Sequence, residues 1–284
     1  MRLVLIHGRD QDGKDEALLR KTWTDGLEVG LSSAGLGAIS EHEVVFPYYG
    51  DELAQMVAAA KQGLAHGTAK GGNSGILSDP NYMRLLAEIL EGAQEGEISV
   101  DVATTKGLQN TALAIRLAQL ADKTSFGCRI LSLMTEDVIL YLTKPGIELQ
   151  LNAKIQQAIG TEPCVVVAHS LGSIIAYRVL RQLGAQAKVR RFITLGSPLG
   201  LETIRKLLSP PAREVPKGVA SWVNAFDRKD IVALHPLDTS TWDVRPPIEN
   251  HGSVTNHMAN HHGISGYLDD VLVAHRIHEA LNGT

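Results

Sequence analysis

Two kinds of apolar pattern alternate along this chain. Short apolar-rich segments, Leu3–Ile6, Glu43–Pro47, Val165–Val167 and Arg190–Leu195, read as strands. Val165–Val167 in particular carries no polar alternation, which is how a strand buried on both faces of a parallel sheet reads. Between them apolar residues recur at helical spacing. From Asp15 to Ser33 the expected buried stripe is Leu18, Leu19, Trp23, Leu27 and Leu31, ended by Gly35 and Gly37. Gly146–Ile159 and Ile174–Leu183 read the same way, and Tyr267–Leu281 reads as one closing amphipathic helix. A further strand is expected over Ala220–Phe226. Strands alternating with helices predict an α/β fold with a parallel sheet and right-handed crossovers.

Residues 50–143 interrupt the alternation. Four helical patterns, Glu52–Leu64, Asn81–Gly92, Leu108–Leu120 and Leu133–Leu142, follow one another without a convincing strand. A helical block of this length between two strands predicts a cap or lid inserted into a single domain spanning residues 1–284. The plainer alternative is extra helices packed on the sheet.

The most informative stretch is Cys164–Tyr177. An apolar run enters a short turn, Ala168-His169-Ser170-Leu171-Gly172, and the turn opens at once into a helical pattern. One serine flanked two residues away on each side by a small residue, between strand and helix, is the layout of a nucleophile elbow. Only small flanks fit so tight a turn, and the serine is pushed out over the sheet's C-terminal edge. There the N–H of Leu171 and the positive end of the helix dipole can face a developing oxyanion. A similar cluster, Gly72-Asn73-Ser74-Gly75, follows no strand and reads as a loop.

Composition narrows the classes. With 284 residues, 44% hydrophobic and 20% charged, the chain is long enough for one large α/β domain. A net charge of −4 gives no footprint for nucleic acid. Cys128 and Cys164 do not make a disulfide framework, the N-terminal apolar run is four residues long, and no later run approaches a membrane span. A soluble cytoplasmic protein is expected, with no transmembrane segment and no cofactor; its oligomeric state is not legible.

A serine hydroxyl needs a base, and the base needs an acid to fix its tautomer. In this architecture the chain order should be serine, acid, histidine. After the strand ending at Phe226 come Asp227 and Asp230, of which Asp230 is preferred because Ile231-Val232 can anchor its loop. His251, His257, His261 and His262 follow. His262 is preferred over His261 because it precedes the last helix and Gly263 would allow a sharp turn. The spacing of these histidines matches no zinc motif, so no metal is expected. Ser197 precedes a proline in a turn and reads as structural, Arg9 as a surface ion-pair partner, and the acidic run Glu88–Glu97 as a solvated helix face.

With these segments in place, the chain resembles the α/β-hydrolases, close to their lipase/esterase-like branch. The resemblance rests on Ile6-His7-Gly8, Ala168–Gly172, Thr194–Pro198, Trp222-Val223-Asn224 with Asp230-Ile231-Val232, and His262-Gly263 before Gly266-Tyr267-Leu268. Alanine stands at 168 where the family usually has glycine. The resemblance implies a three-layer fold with a mostly parallel sheet of about five to six strands. It implies hydrolysis of a small-molecule or lipid ester by Ser170, His262 and Asp230 through an acyl-enzyme. It also implies an oxyanion hole made by the N–H groups of Arg9 and Leu171. A thioesterase or acyltransferase would use the same parts, and a non-catalytic interaction module could retain the fold.

Overall fold

Each apolar run becomes a strand of one sheet. The structure, a computed structural model, describes residues 1–66, 76, 79–95, 128–209 and 213–283. The strands are β1 (Arg2–Ile6), β2 (Glu43–Val45), β3 (Cys164–His169), β4 (Val189–Leu195), β5 (Trp222–Ala225) and β6 (Glu249–His251). They form a six-stranded sheet in the order β2-β1-β3-β4-β5-β6, and every pair is parallel. The helices among the described residues are α1 (Glu16–Ser33), α2 (Gly50–His66), α3 (Pro80–Glu95), α4 (Cys128–Thr143), α5 (Pro145–Ile159), α6 (Leu171–Leu183), α7 (Glu202–Leu208), α8 (Ser265–Leu268) and α9 (Val271–Asn282).

Successive strand residues point to opposite faces, and both faces are covered. Leu3, Leu5, Val165, Val167, Ile193 and Leu195 join a core with Trp23 and Leu27 of α1 and Val273 and Ile277 of α9. Val4, Ile6, Val166, Ala168 and Phe192 face the other way, into a core shared with helices α2 to α6. This is a three-layer α/β arrangement. The helices of the interrupting block therefore pack into the same core as the sheet: Leu53 of α2, Leu85 and Ile89 of α3 and Ile139 of α4 are all part of it. The expected helix over Leu108–Leu120 and the loop holding Ser74 lie outside the described residues.

Four local expectations are corrected. Leu18 is not in the buried stripe of α1 but 64% exposed. Five residues before Trp23, it sits about 140° around the helix from the face that Trp23, Leu27 and Leu31 share. The closing helix is two helices, because the Asp270 carboxylate accepts the N–H groups of Leu272 and Val273 and so starts α9 afresh. Strand β6, Glu249-Asn250-His251, is a short polar edge strand with no periodicity to announce it. Glu88 is not simply solvated: its carboxylate accepts the N–H groups of Glu202 and Thr203, capping α7.

Among the described residues no helix is long and apolar enough to cross a membrane. Cys164 is free and buried at the start of β3, and burial raises its thiol pKa to about 11, so it behaves as a small hydrophobe.

Candidate active site

The strand order reverses direction once. From β1 the chain moves outward to β2, then returns to β3 on the other side and proceeds through β4, β5 and β6. The crevice beyond the C-terminal ends of β1 and β3 is therefore the switch point where open α/β sheets bind ligands. Register decides what meets there. Ile6 lies opposite Ala168 and His169 opposite Leu195. Continuing the ladder, two steps past Ile6 and one past Leu195, brings together residues that follow the strands: Gly8, Ser170 and Gly196. A Cβ on Gly8 would stand 2.9 Å from the Ser170 Cβ, and Ser170 N–H donates to the Leu195 carbonyl at 3.1 Å.

Ser170 sits in a backbone conformation that L-residues rarely adopt, φ 53° and ψ −129°, between the end of β3 and the first residue of α6. The surroundings hold it there. The Ser173 hydroxyl donates to the Ser170 carbonyl at 2.5 Å, and Gly172 presses against β1 so closely that a Cβ would lie 2.3 Å from the His7 carbonyl oxygen. Ser173 Oγ also pairs with Ser197 Oγ at 2.7 Å, and Ser197 accepts the N–H of Leu199. Ser197 thus supports the turn beneath Ser170, the structural use expected of it.

Of the two candidate acids, Asp230 meets His262: Nδ1 to Oδ2 is 2.7 Å, and Asp230 is fully buried. Its other oxygen accepts the N–H of Val232, so the apolar anchor and the orientation of the carboxylate are one feature. Asp227 is occupied elsewhere, accepting the N–H groups of Lys229 and Asn256 and lying 3.5 Å from His261 Nδ1. Because Nδ1 of His262 donates to a carboxylate, the neutral ring carries its proton on Nδ1 and its basic nitrogen is Nε2. The sharp turn expected at Gly263 is made two residues earlier: His261 has φ 54°, and Gly263 instead leaves room for the Met258 side chain. His251 and His257 pair separately with Asp270 and Asp269.

Comparison of the chain with known protein families and with curated proteins finds no match. What the site can do therefore rests on its own geometry.

Backbone donors flank Ser170 on two sides. Leu171 opens α6, where its N–H has no partner within the helix and the helix dipole is positive. On the other side, the Tyr49 N–H donates to His7 Nε2 at 3.1 Å, which puts the His7 proton on Nδ1, and Nδ1 donates to the Gly8 carbonyl at 2.6 Å. The Gly8 carbonyl and the Arg9 N–H belong to one planar trans peptide, so holding the carbonyl fixes the N–H on the opposite side. The Arg9 side chain is not the exposed partner expected. Its guanidinium pairs with Asp137 of α4 at 2.7 Å with both groups mostly buried, tying the loop after β1 to the interrupting block.

Four residues matter here that the sequence marks only as part of the resemblance, with no role of their own. His7 orients the Gly8–Arg9 peptide. His169 Nε2 donates to the backbone carbonyl of His262 at 2.8 Å, with the rings 4.6 Å apart. The Tyr267 hydroxyl donates to Asp230 Oδ2 at 2.6 Å, while burial and the Asp230 charge hold its phenol well above the usual range, so it remains a donor. Gly196, at φ 52°, leaves room for the Asp–His pair: a Cβ there would be 2.9 Å from Asp230 Oδ2 and 3.1 Å from His262 Nδ1. The one signal available was position, since each stands at the end of a strand or beside a residue already marked.

Burial lowers the pKa of His7 to about 4 and that of His169 well below 6.5. Both are neutral in the folded protein at pH 7. The unfolded chain, with histidines near 6.5, binds more protons, so stability is complete above pH 6.5 and falls as pH drops from 6.5 toward 4. His7 alone should remove about 2 kcal/mol of unfolding free energy between pH 7 and pH 5. Urea unfolding at the two pH values measures this, and a flat profile would contradict the neutral, donor-and-acceptor role given to His7.

A cleft of about 300 Å³ opens beside Ser170. Its lining includes His262, Asn260, Arg9, Gln11, Lys14 and Trp23.

Proposed function

We propose that this protein is a serine hydrolase of the α/β-hydrolase kind that cleaves a carboxylic ester through an acyl-enzyme. The observation that carries the reading is the conjunction of a buried Asp230–His262 pair at 2.7 Å with a serine held at positive φ on a strand-to-helix turn in the same crevice. Few purely structural arrangements need a strained serine, and backbone strain of this kind costs of order 1–3 kcal/mol.

The steps follow from the donors and acceptors. His262 Nε2 takes the Ser170 proton as Oγ attacks the ester carbonyl. Asp230 holds the ring in that tautomer and stabilises the imidazolium that forms. The N–H groups of Leu171 and Arg9 receive the oxyanion. His262 then gives its proton to the departing alkoxide, and a water activated the same way releases the acid. Helices α3 and α4 serve as a cap over the serine, tied to the oxyanion loop through Asp137 and Arg9. A fluorophosphonate, which reacts with activated serines, should label the protein and fail to label Ser170→Ala. Unchanged labelling of the variant would refute the proposal.

A further inference from the structure

The two sides of Ser170 are unequal, and the proton assignment decides which part of an ester each side receives. His262 must protonate the leaving oxygen, so the alcohol portion has to lie on the side where His262 stands. That side is the cleft of about 300 Å³, lined also by Asn260, Gln11 and Lys14. The acyl portion is left with the other space that Ser170 borders. This is a slot walled by five aliphatic side chains, Leu85 and Ile89 of α3, Val138 of α4, and Leu201 and Ile204 at the start of α7, together with Thr135 and Pro198, and His262 is not part of it. All five side chains are buried. The slot offers about 10 Å³ to the centre of a water-sized sphere, the room that one water or one methyl group occupies.

We infer that the ester taken here joins an acetyl-sized acyl group to a much larger alcohol bearing hydrogen-bonding groups. This rests on the hydrolase reading above. A long acyl chain would have to push α3 and α4 apart against packing they share with the sheet, and a close-packed interior resists added volume. The polar wall of the cleft, by contrast, offers Asn260, Gln11 and Lys14 to an alcohol's hydroxyl or amide groups, with Leu19 and Trp23 to cover its carbon skeleton.

The test is kcat/KM of the purified full chain on p-nitrophenyl acetate, butyrate and octanoate, which share one leaving group. The expected result is a fall of roughly tenfold from acetate to butyrate and at least a further tenfold to octanoate, the scale on which a closed apolar pocket excludes methylenes. Val138→Ala, which widens the slot by two methyl groups, should raise the butyrate-to-acetate ratio; a fixed ratio would place the acyl group elsewhere. Activity that rises with chain length would overturn the inference while leaving the hydrolase reading intact. If no ester is cleaved although a fluorophosphonate labels Ser170, the acyl assignment fails and the nucleophile stands. If neither occurs, both fail.

Discussion

Exchanging Asp230 for asparagine should lower kcat by about 10⁴-fold with little change in the fold, whereas Asp227→Asn should leave kcat within a few-fold of the parent. The two carboxylates are three residues apart, both buried, and both near a histidine, so the contrast between them is informative. Asp230 Oδ2 accepts from His262 Nδ1 and from the Tyr267 hydroxyl at once, and Oδ1 accepts from Val232. An asparagine keeping its oxygen toward Val232 turns its NH₂ toward His262. The ring then accepts on Nδ1 and carries its proton on Nε2, where it can no longer take one from Ser170. At Asp227 the partners are two backbone N–H groups and a histidine in weaker contact, so the loop shifts while the base keeps its tautomer. Steady-state kinetics on an activated ester, with unfolding curves as a check on structure, separates the two. Equal losses in both variants would show that the second pair shares the chemistry.

The second large effect concerns the scaffold. Gly172→Ala should cost about 3 kcal/mol or more of unfolding free energy, measured by urea, because the added Cβ would fall 2.3 Å from the His7 carbonyl and 2.6 Å from that of Ile6. Neither is a side chain that can swing away. They belong to the last residue of β1 and the residue after it, where the loop that carries the Arg9 N–H begins, so any fold that survives should also lose the oxyanion stabilisation proposed for that N–H. Gly37→Ala, in open space, should fall within about 0.5 kcal/mol of the parent. A mild effect at 172 would mean that α6 does not approach β1 as described.

How legible this was in the sequence can be followed residue by residue. The strands β1, β3 and β4 were plain because a strand covered on both faces has no reason to alternate, and Val165–Val167 cannot be mistaken for a surface. The elbow was plain because its steric demand selects small residues at fixed offsets. Strand β6 was hidden because it lies at the sheet edge and is held by backbone hydrogen bonds to β5, to which side-chain polarity is blind. The break at Asp269-Asp270 was hidden because the apolar period runs through it; the cap is a local contest that hydrophobic spacing does not record. Asp230 and His262 are preferred over Asp227 and His261 only on loop position, since neighbouring residues on a loop differ mainly in direction. His7, His169 and Tyr267 act through backbone carbonyls or through another side chain, and such partnerships exist only once distant strands are brought into register. The size of the slot beside Ser170 is a property of side chains from three helices and the turn after β4, and no one of them signals it.

The central claim is that Ser170 is a nucleophile activated by His262. Its most direct measurement is the location of the adduct after treatment with a fluorophosphonate. Trypsin releases Ile155–Arg178, which contains both Ser170 and Ser173, so fragmentation must assign the mass shift between them. A single adduct on Ser170 is expected, formed far more slowly by His262→Ala. An adduct on Ser173 or Ser197, or labelling of Ser170 at an unchanged rate without His262, would contradict it.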